Sequence, residues 1–350
     1  MLDAKLIAQV ARAPMFADLE PSDLDDLVGG MRHLTYAPGE ELIHQGALPD
    51  GVYVIVGGRV QILTKLPGGG ENLIAVLEPG STVGDLALVG MARRTATVRA
   101  LDRVEALYTD SQVFRAALVQ LRPSAIKVLR KLAVILSERL RILHGQIRES
   151  LSADDPAYAP AIMPTTSGGA TALCAAGASF AYPAFLPLLR CFRGFDPDQI
   201  RSISELAEVV ALPRGAPLLA AGAAPGACYF VVRGAIASGI IEDKRMHQLA
   251  ILGPGYLCAI ESVIEDRPSS VAFIVRETSL LLKLSQSAFL DLYLGNDRLA
   301  LNLLHAVNEN QAEMISRANN HLTRLLGLKR LSRQLCVNPK SPPHARAALI

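Results

Sequence analysis

The chain is written twice, and this repeat limits its possible folds more than any other feature. "MFADLEPSDLDDL" (15–27) returns as "CFRGFDPDQIRSI" (191–203), and "YAPGEELIHQGALPDGVYVIVGGRVQIL" (36–63) returns as "LPRGAPLLAAGAAPGACYFVVRGAIASG" (212–239). "LIAVLEPGSTVGDLAL" (73–88) returns as "QLAILGPGYLCAIESV" (248–263). Tyr53 and Tyr229 lie 176 positions apart, Gly80 and Gly255 175. An offset held that constant across several motifs duplicates a whole folding unit. A length of 350 residues suits two units, and a chain that is 50% hydrophobic and 19% charged can fill two cores.

Within each copy the signals are β. Runs such as "GVYVIVGG" and "ENLIAVL" are bounded by Gly, Pro and Asp turns at intervals of about ten residues. Each β block is followed by a helical pattern. Over 124–151, Leu129, Leu132, Leu136, Leu140, Leu143 and Ile147 recur at steps of three and four. Lys127, Arg130, Lys131, Glu138 and Arg141 take the other faces. Leu304, Val307, Met314, Ala318, Leu322 and Leu325 keep a similar phase, with Gln311 in the seam. Such helices either pack on their own β domains or pair with a second copy, giving a homodimer through 124–151 and/or 299–326. The expected fold is mainly β with helices (α+β): two β-roll or jelly-roll domains, each followed by a long amphipathic helix. The expected map is a first domain at 1–151, a flexible Ala/Pro/Ser/Gly-rich linker at 152–184, and a second domain at 185–298. A C-terminal helix at 299–331 and a disordered tail at 332–350 complete it.

Several function classes are excluded. A net charge of +2 demands neither nucleic acid nor membrane. Five cysteines (174, 191, 228, 258, 336) without C-x-x-C spacing indicate neither a disulfide framework nor a zinc site. No H-E-x-x-H, G-x-S-x-G or Walker A loop occurs, and "LPGGGEN" (66–72) lacks the G-K-[ST] of a phosphate loop. Neither a catalytic residue, a metal site nor a cofactor is expected, and no enzyme. The N-terminus lacks a signal-peptide pattern, and no run approaches the ~20 apolar residues of a membrane span, so a cytoplasmic location is expected.

One stretch carries chemistry: "GDLALVGMARRTATV" (84–98). A helical "LALV" directly after a hairpin leaves its first N–H groups unsatisfied, an arrangement that attracts an anion. Arg94 adds a planar, permanently charged donor suited to phosphate oxygens. A carboxylate beside a phosphate repels it, so Asp85 makes sense as an acceptor for another part of the ligand, such as a ribose hydroxyl. Sugar hydroxyl and single phosphate held close together describe a cyclic nucleotide.

Residues 79–98, "PGSTVGDLALVGMARRTATV", resemble the phosphate-binding cassette of cyclic-nucleotide-binding domains. These occur in the regulatory subunits of cyclic-nucleotide-dependent protein kinases and in the bacterial catabolite activator family. The pattern F-G-E-[LI]-[AG]-L, a spacer, then R-[AST]-A-[TS]-[VI] is met by Gly84, Leu86, Ala87, Leu88, Arg94, Thr95, Ala96, Thr97 and Val98. The family's usual Glu is here Asp85, one methylene shorter. The resemblance implies a ligand site of Val83, Gly84, Asp85, Leu86, Ala87, Arg94, Thr95 and Ala96. Asp85 would hold the ribose 2′-hydroxyl, Arg94 the phosphate, and the backbone at Leu86 and Ala87 would complete the cradle. The helix after residue 124 would be the lid. The family favours cAMP over cGMP, although a Thr after the arginine, here Thr95, holds guanine in cGMP-dependent kinases. Arg93 is read as a solvated neighbour.

In the second copy the positions of Gly84, Asp85 and Arg94 fall on Ala259, Ile260 and Ser269. A shifted register puts Glu261 and Arg267 in the two roles as a weak second site, six positions apart instead of nine. The expected function is a cyclic-nucleotide-sensing regulator that passes ligand binding in the first domain to a dimer or partner interface. The alternatives are a cAMP-dependent DNA-binding regulator and a regulatory subunit of a separate enzyme. DNA is disfavoured because "LLGLKRLSRQL" (325–335) is too short for a helix-turn-helix domain.

Overall fold

The computed structural model describes residues 4–65, 69–89, 93–151, 182–242 and 245–337. The first half opens with helices α1 (Ala4–Val10) and α2 (Pro21–Val28) and continues through eight strands. These are β1 (Arg32–Tyr36), β2 (Glu41–Ile43), β3 (Gly51–Gly57), β4 (Val60–Lys65), β5 (Glu71–Leu77), β6 (Thr82–Val83), β7 (Thr97–Ala100) and β8 (Val104–Asp110). Helices α3 (Ser111–Val119) and α4 (Pro123–Ser150) close it. The second half runs α5 (Pro197–Leu206), β9 (Glu208–Leu212), β10 (Pro217–Leu219), β11 (Ala227–Glu242), β12 (Arg245–Leu252) and β13 (Leu257–Cys258). It ends with α6 (Ile260–Glu265), β14 (Ala272–Ser285), α7 (Gln286–Tyr293) and the 40-residue α8 (Arg298–Val337). Helix α8 thus continues past the expected end at 331. Residues 152–181 of the expected linker and 338–350 of the expected tail lie outside the described residues.

All described strand pairs are antiparallel. The first half has two four-stranded sheets, ordered β1-β8-β3-β6 and β2-β7-β4-β5, that share a core without closing into a barrel. Strand periodicity explains why "GVYVIVG" is buried on both sides. Side chains alternate across a sheet, so Tyr53 and Ile55 enter the roll while Val52, Val54 and Val56 join the core beneath the helices. In the second half the sheets merge into one of six strands around the long β11 and β14. Gly58 (φ +73°) separates β3 from β4; its counterpart Gly234 (φ +87°) sits inside β11, where the register shifts.

The duplication is visible bond by bond. Gly80 N–H donates to Ile55 O (2.8 Å) as Gly255 N–H does to Val231 O (2.7 Å). Gly46 N–H donates to Arg94 O (2.9 Å) as Gly222 N–H does to Ser269 O (2.8 Å), and Arg94 N–H to Ala47 O (2.9 Å) as Ser269 N–H to Ala223 O (3.0 Å). Ser269 is therefore the spatial equivalent of Arg94.

The helices expected at a dimer interface face each other within one chain. Leu129, Leu132, Leu136, Leu140, Leu143 and Ile147 of α4 are buried, as are Leu304, Val307, Gln311 and Ala318 of α8. Asn308 Nδ2 reaches across to Leu129 O (3.1 Å), and Gln311 donates to Ser137 Oγ. Buried amides of this kind fix the register of a helix pair, since any slip leaves them unpaired in an apolar seam.

Candidate functional site

Strand β6 ends at Val83, and a single 3₁₀ turn over Asp85–Val89 follows. Between them Gly84 adopts φ +80°, a conformation that a side chain disfavours. There is also no space for one: an added Cβ would collide with Arg94 Nη1 and crowd Gly51 O and Ile43 Cδ1. That close approach lets Gly84 O accept from Arg94 Nη1 at 2.9 Å. Arg94 Nη2 donates to Asp50 Oδ1 (2.5 Å) and Gly51 O (2.6 Å). Arg94 is 8% exposed and its guanidinium is anchored on three acceptors, yet an arginine has five N–H donors. One on Nη1 and the one on Nε remain for an anion. Asp50 lies 44 positions before Arg94 on an exposed turn, and no local motif links the two.

Asp85 is 3% exposed and carries a fork-to-fork ion pair with Arg139 of α4: Nη1 to Oδ1 at 3.1 Å, Nη2 to Oδ2 at 2.7 Å. The carboxylate holds the Arg139 guanidinium above its ordinary pKa against the opposing effect of burial. Asp85 Oδ1 also accepts its neighbour's Leu86 N–H (3.0 Å), while Ala87 N–H goes to Gly84 O (3.0 Å). The two backbone donors expected to cradle a phosphate are thus already paired inside the turn. A carboxylate offers about four acceptor directions, so Asp85 keeps one beyond these three bonds.

Val83, Gly84, Asp85, Leu86, Ala87, Arg94, Thr95 and Ala96 all line one cavity of about 420 Å³, within the range that holds small ligands. Arg93 stands at its wall, exposed, and donates to Gly46 O (2.9 Å). The far side is helical. Arg139, Ile142, Leu143 and Gln146 come from α4; Ile315, Asn319 and Thr323 come from α8, which belongs to the second half. Sequence reasoning missed Asp50, Arg139 and the α8 residues. Their positions depend on how elements pack, and only the i, i+4, i+8 spacing of 315, 319 and 323 hints that they share a face.

The matching place in the second half is far smaller: about 30 Å³ against about 420 Å³ in the first. Glu261 lines it, buried, with Oε1 unpartnered. Burial pushes its carboxyl pKa up, its backbone hydrogen bond and Arg141 oppose this, and Glu265 adds to the rise. Arg267 is exposed beyond α6 and does not line this space, so the two residues of the shifted register are not brought together. Helix α4 enters instead. Arg141 donates from Nε to Glu265 Oε2 (2.8 Å) and from Nη1 to Pro268 O (2.8 Å), and His144 Nδ1 meets Ser270 Oγ (2.8 Å). Burial, with Arg141 and Arg148 nearby, pushes the His144 pKa down to about 4.

Among the described residues no helix is long and apolar enough to cross a membrane, and no cluster of His, Cys, Asp and Glu could hold a metal ion.

Comparison with known proteins accords with this geometry. The chain is 26% identical over 147 residues to the CRP-like cAMP-activated global transcriptional regulator of Mycobacterium tuberculosis, covering 42% of this chain and 64% of that protein. It is 29% identical over 129 residues to the cyclic AMP receptor protein of Thermus thermophilus, covering 37% of this chain and 58% of that one. The chain thus spans less than two thirds of the length of these relatives. Among solved structures, the regulatory domain of Toxoplasma gondii PKA with cAMP aligns over 83% of this chain and 92% of that one, at 17% identity and a TM-score of 0.32. The family model "cyclic nucleotide-binding domain" matches residues 33–120 and 209–296, together just over half of the chain. The chain therefore belongs to the cyclic-nucleotide-binding domain family, whose domain it carries twice.

Proposed function

We propose that the first half of the chain binds one cyclic nucleotide, cAMP in preference to cGMP, and that α4 carries the event to the second half. The observation behind this reading is the cavity itself. It presents two free N–H donors of a fixed Arg94 and one free acceptor direction of Asp85, whose other bonds run to α4. Phosphate goes to Arg94 and the ribose hydroxyl to Asp85, which the ligand then shares with Arg139. Any ligand that weakens or tightens the Asp85–Arg139 pair acts on α4. The second half holds α4 by Arg141 and also by Arg130, whose Nη2 donates to Gly295 O at 2.8 Å. Ligand shifts this arrangement only by its difference in affinity for the two positions of α4. The output is a change between the two halves, passed to a partner protein or a second copy.

Titration calorimetry with cAMP and cGMP in parallel tests the proposal. One site per chain and tighter cAMP binding are expected; heats absent for both nucleotides refute it. A second reading, DNA binding under ligand control, draws on the Mycobacterium tuberculosis relative, a transcriptional regulator, and on one feature of the chain. After Glu313 no acidic residue follows, while seven Lys and Arg do. Sequence-specific, cAMP-dependent retention of DNA in a gel shift would favour that reading.

A further inference from the structure

Arg94 is aimed by Asp50 Oδ1 and Gly51 O, so whatever fixes residues 50 and 51 also aims the guanidinium. One hold on this turn is main-chain and common to both halves. Ser111 N–H donates to Asp50 O (2.9 Å) as Gln286 N–H does to Gly226 O (2.9 Å). A second hold is particular to the first half. Tyr108 of β8 is 3% exposed, and its ring lies so close to Gly51 that an added Cβ there would strike two ring atoms as well as Thr109 O. The ring also packs on Tyr53, with centroids 4.9 Å apart, and carries the Arg32 guanidinium 4.7 Å from its centre. Burial raises the Tyr108 pKa, and the carboxylates of Asp50 and Asp110 raise it further. Tyr108 does not itself line the cavity.

The second half shows what such a roll requires when it holds no arginine. Tyr53 faces Tyr108 across the sheet as Tyr229 faces Lys283, and Arg32 faces Tyr108 as Glu208 faces Lys283. There Lys283 Nζ pairs with Glu208 Oε2 (2.7 Å) in place of the cation over the ring. Asp50 has become Gly226, Gly51 Ala227, and Arg94 Ser269. Equivalent strand pairs therefore form without the aromatic ring, and the ring accompanies the arginine. Ring and glycine also go together for a steric reason, since a Cβ at 51 would occupy the place of the ring. We infer that Tyr108 is a positioning residue of the phosphate site: seated on Gly51, it fixes the turn that holds Asp50 and Gly51 O against Arg94. This rests on the proposed nucleotide reading and adds to it a side chain that touches no ligand. Arg94 directs its two remaining donors usefully only while the other three are held, and the hold is as good as the packing behind its anchors.

The test combines cAMP calorimetry with urea denaturation of the ligand-free chain in Tyr108→Leu, Tyr108→Phe and Ile55→Ala. Ile55 is fully buried in the same core cluster and does not line the cavity, so its truncation reports what lost core packing alone does. Tyr108→Leu should bind cAMP about tenfold more weakly, whereas Tyr108→Phe keeps the ring and should stay within about threefold of the unaltered chain. Ile55→Ala should lose stability yet also stay within about threefold in Kd. Should circular dichroism show that Tyr108→Leu does not fold, Arg32→Glu/Tyr108→Lys takes its place with the same expectation, since it imports the pair found at Glu208 and Lys283. Unchanged Kd in the variant that removes the ring, or an equal loss in Ile55→Ala or in Tyr108→Phe, overturns the inference while leaving the nucleotide site standing. Absence of cAMP binding by the unaltered chain overturns the site and the inference together.

Discussion

Replacing Arg94 by Ala separates the two tasks that the structure gives this residue. The first is structural. The side chain satisfies Gly51 O at 2.6 Å and Gly84 O at 2.9 Å and pairs with Asp50. Asp50 is largely exposed and regains water, but the carbonyls lose charged donors, at about 1–3 kcal/mol each. The ligand-free variant should therefore be less stable by about 2–6 kcal/mol, a large fraction of the ~5–15 kcal/mol that holds a domain. The second task is binding. Two remaining N–H donors to a phosphate, at ~1.5–3 kcal/mol each, amount to about 3–6 kcal/mol, or on the order of 10²–10⁴-fold in Kd. Urea denaturation without ligand measures the first quantity, and cAMP calorimetry below the unfolding transition the second. Arg94→Lys keeps the charge but cannot serve three acceptors and a phosphate from one ammonium, so it should fall between wild type and Ala on both scales. Reduced stability with Kd unchanged within about threefold would make Arg94 a strut only and place the phosphate elsewhere. Both quantities unchanged would refute the hydrogen-bond reasoning itself.

A double-mutant cycle of Asp85→Asn and Arg139→Gln, read by urea denaturation, should give a coupling of about 1–3 kcal/mol. Arg139→Gln should be the worse single change, since it strands a carboxylate with 4% side-chain exposure, whereas Arg139 is 38% exposed and can turn to water; equal losses would contradict this. Arg141→Gln leaves Glu265 buried beside Glu261 and should cost about 2–4 kcal/mol, with much of the loss recovered on adding Glu265→Gln; no recovery would mean that Arg141 acts through Pro268 O instead. His144 is held neutral down to about pH 4 when folded but takes up its proton near 6.5 when unfolded, so the unfolded chain binds more protons between those values. Stability should accordingly be complete above pH 6.5 and fall towards pH 4, with a shallower fall in His144→Asn; identical slopes would discard the role of this ring. Ser269→Arg should leave the calorimetric stoichiometry at one, because the matching cavity of the second half, about 30 Å³ against about 420 Å³, leaves too little room for a nucleotide whatever charge is added; a second binding event would overturn that reading.

The sequence was most informative wherever function depends on neighbours in the chain. Gly84, with its positive φ, and Arg94, ten residues on, lie in one motif, and the roll brings them together as their spacing suggests. Heptad-like apolar spacing placed the buried faces of α4 and α8 correctly, since burial follows helix periodicity. Periodicity does not name the partner helix, so a seam closed within one chain and a seam between two chains look the same in sequence. The polar side of α4 was the least legible part. Arg141 sits where a solvated cation would sit, and only its docking on Glu265, 124 positions away, turns it into a buried contact. Arg139 meets Asp85 across 54 positions for the same reason. Charged side chains on a helix surface are decided by what that surface later touches, and no local pattern encodes it.

The second cassette shows how one ligand-binding design dissolves as a set. Arg94 in the first half needs Asp50 and Gly51 O on one side and a glycine at 84 on the other. Their counterparts are Gly226, Ala227 and Ala259, and Arg94 itself is Ser269. Once the arginine is gone, the ban on a Cβ at Ala259 is lifted: the residue keeps the left-handed φ of +61°, at a cost of about 1–2 kcal/mol, but has no guanidinium to strike. The acceptor carbonyls and the carboxylate at 50 then have no cation to hold, and nothing opposes a reversal of charge. The second cassette now presents Glu261 and Glu265 and receives a cation, Arg141, from the first half. One cassette presents Arg94 to its cavity; its twin presents carboxylates to the helix that Asp85 of the first also holds. Helix α4, with Arg139 on Asp85 of one cassette and Arg141 on Glu265 of the other, is the element that both hold, which is the contact the proposed passage of ligand binding between the halves requires.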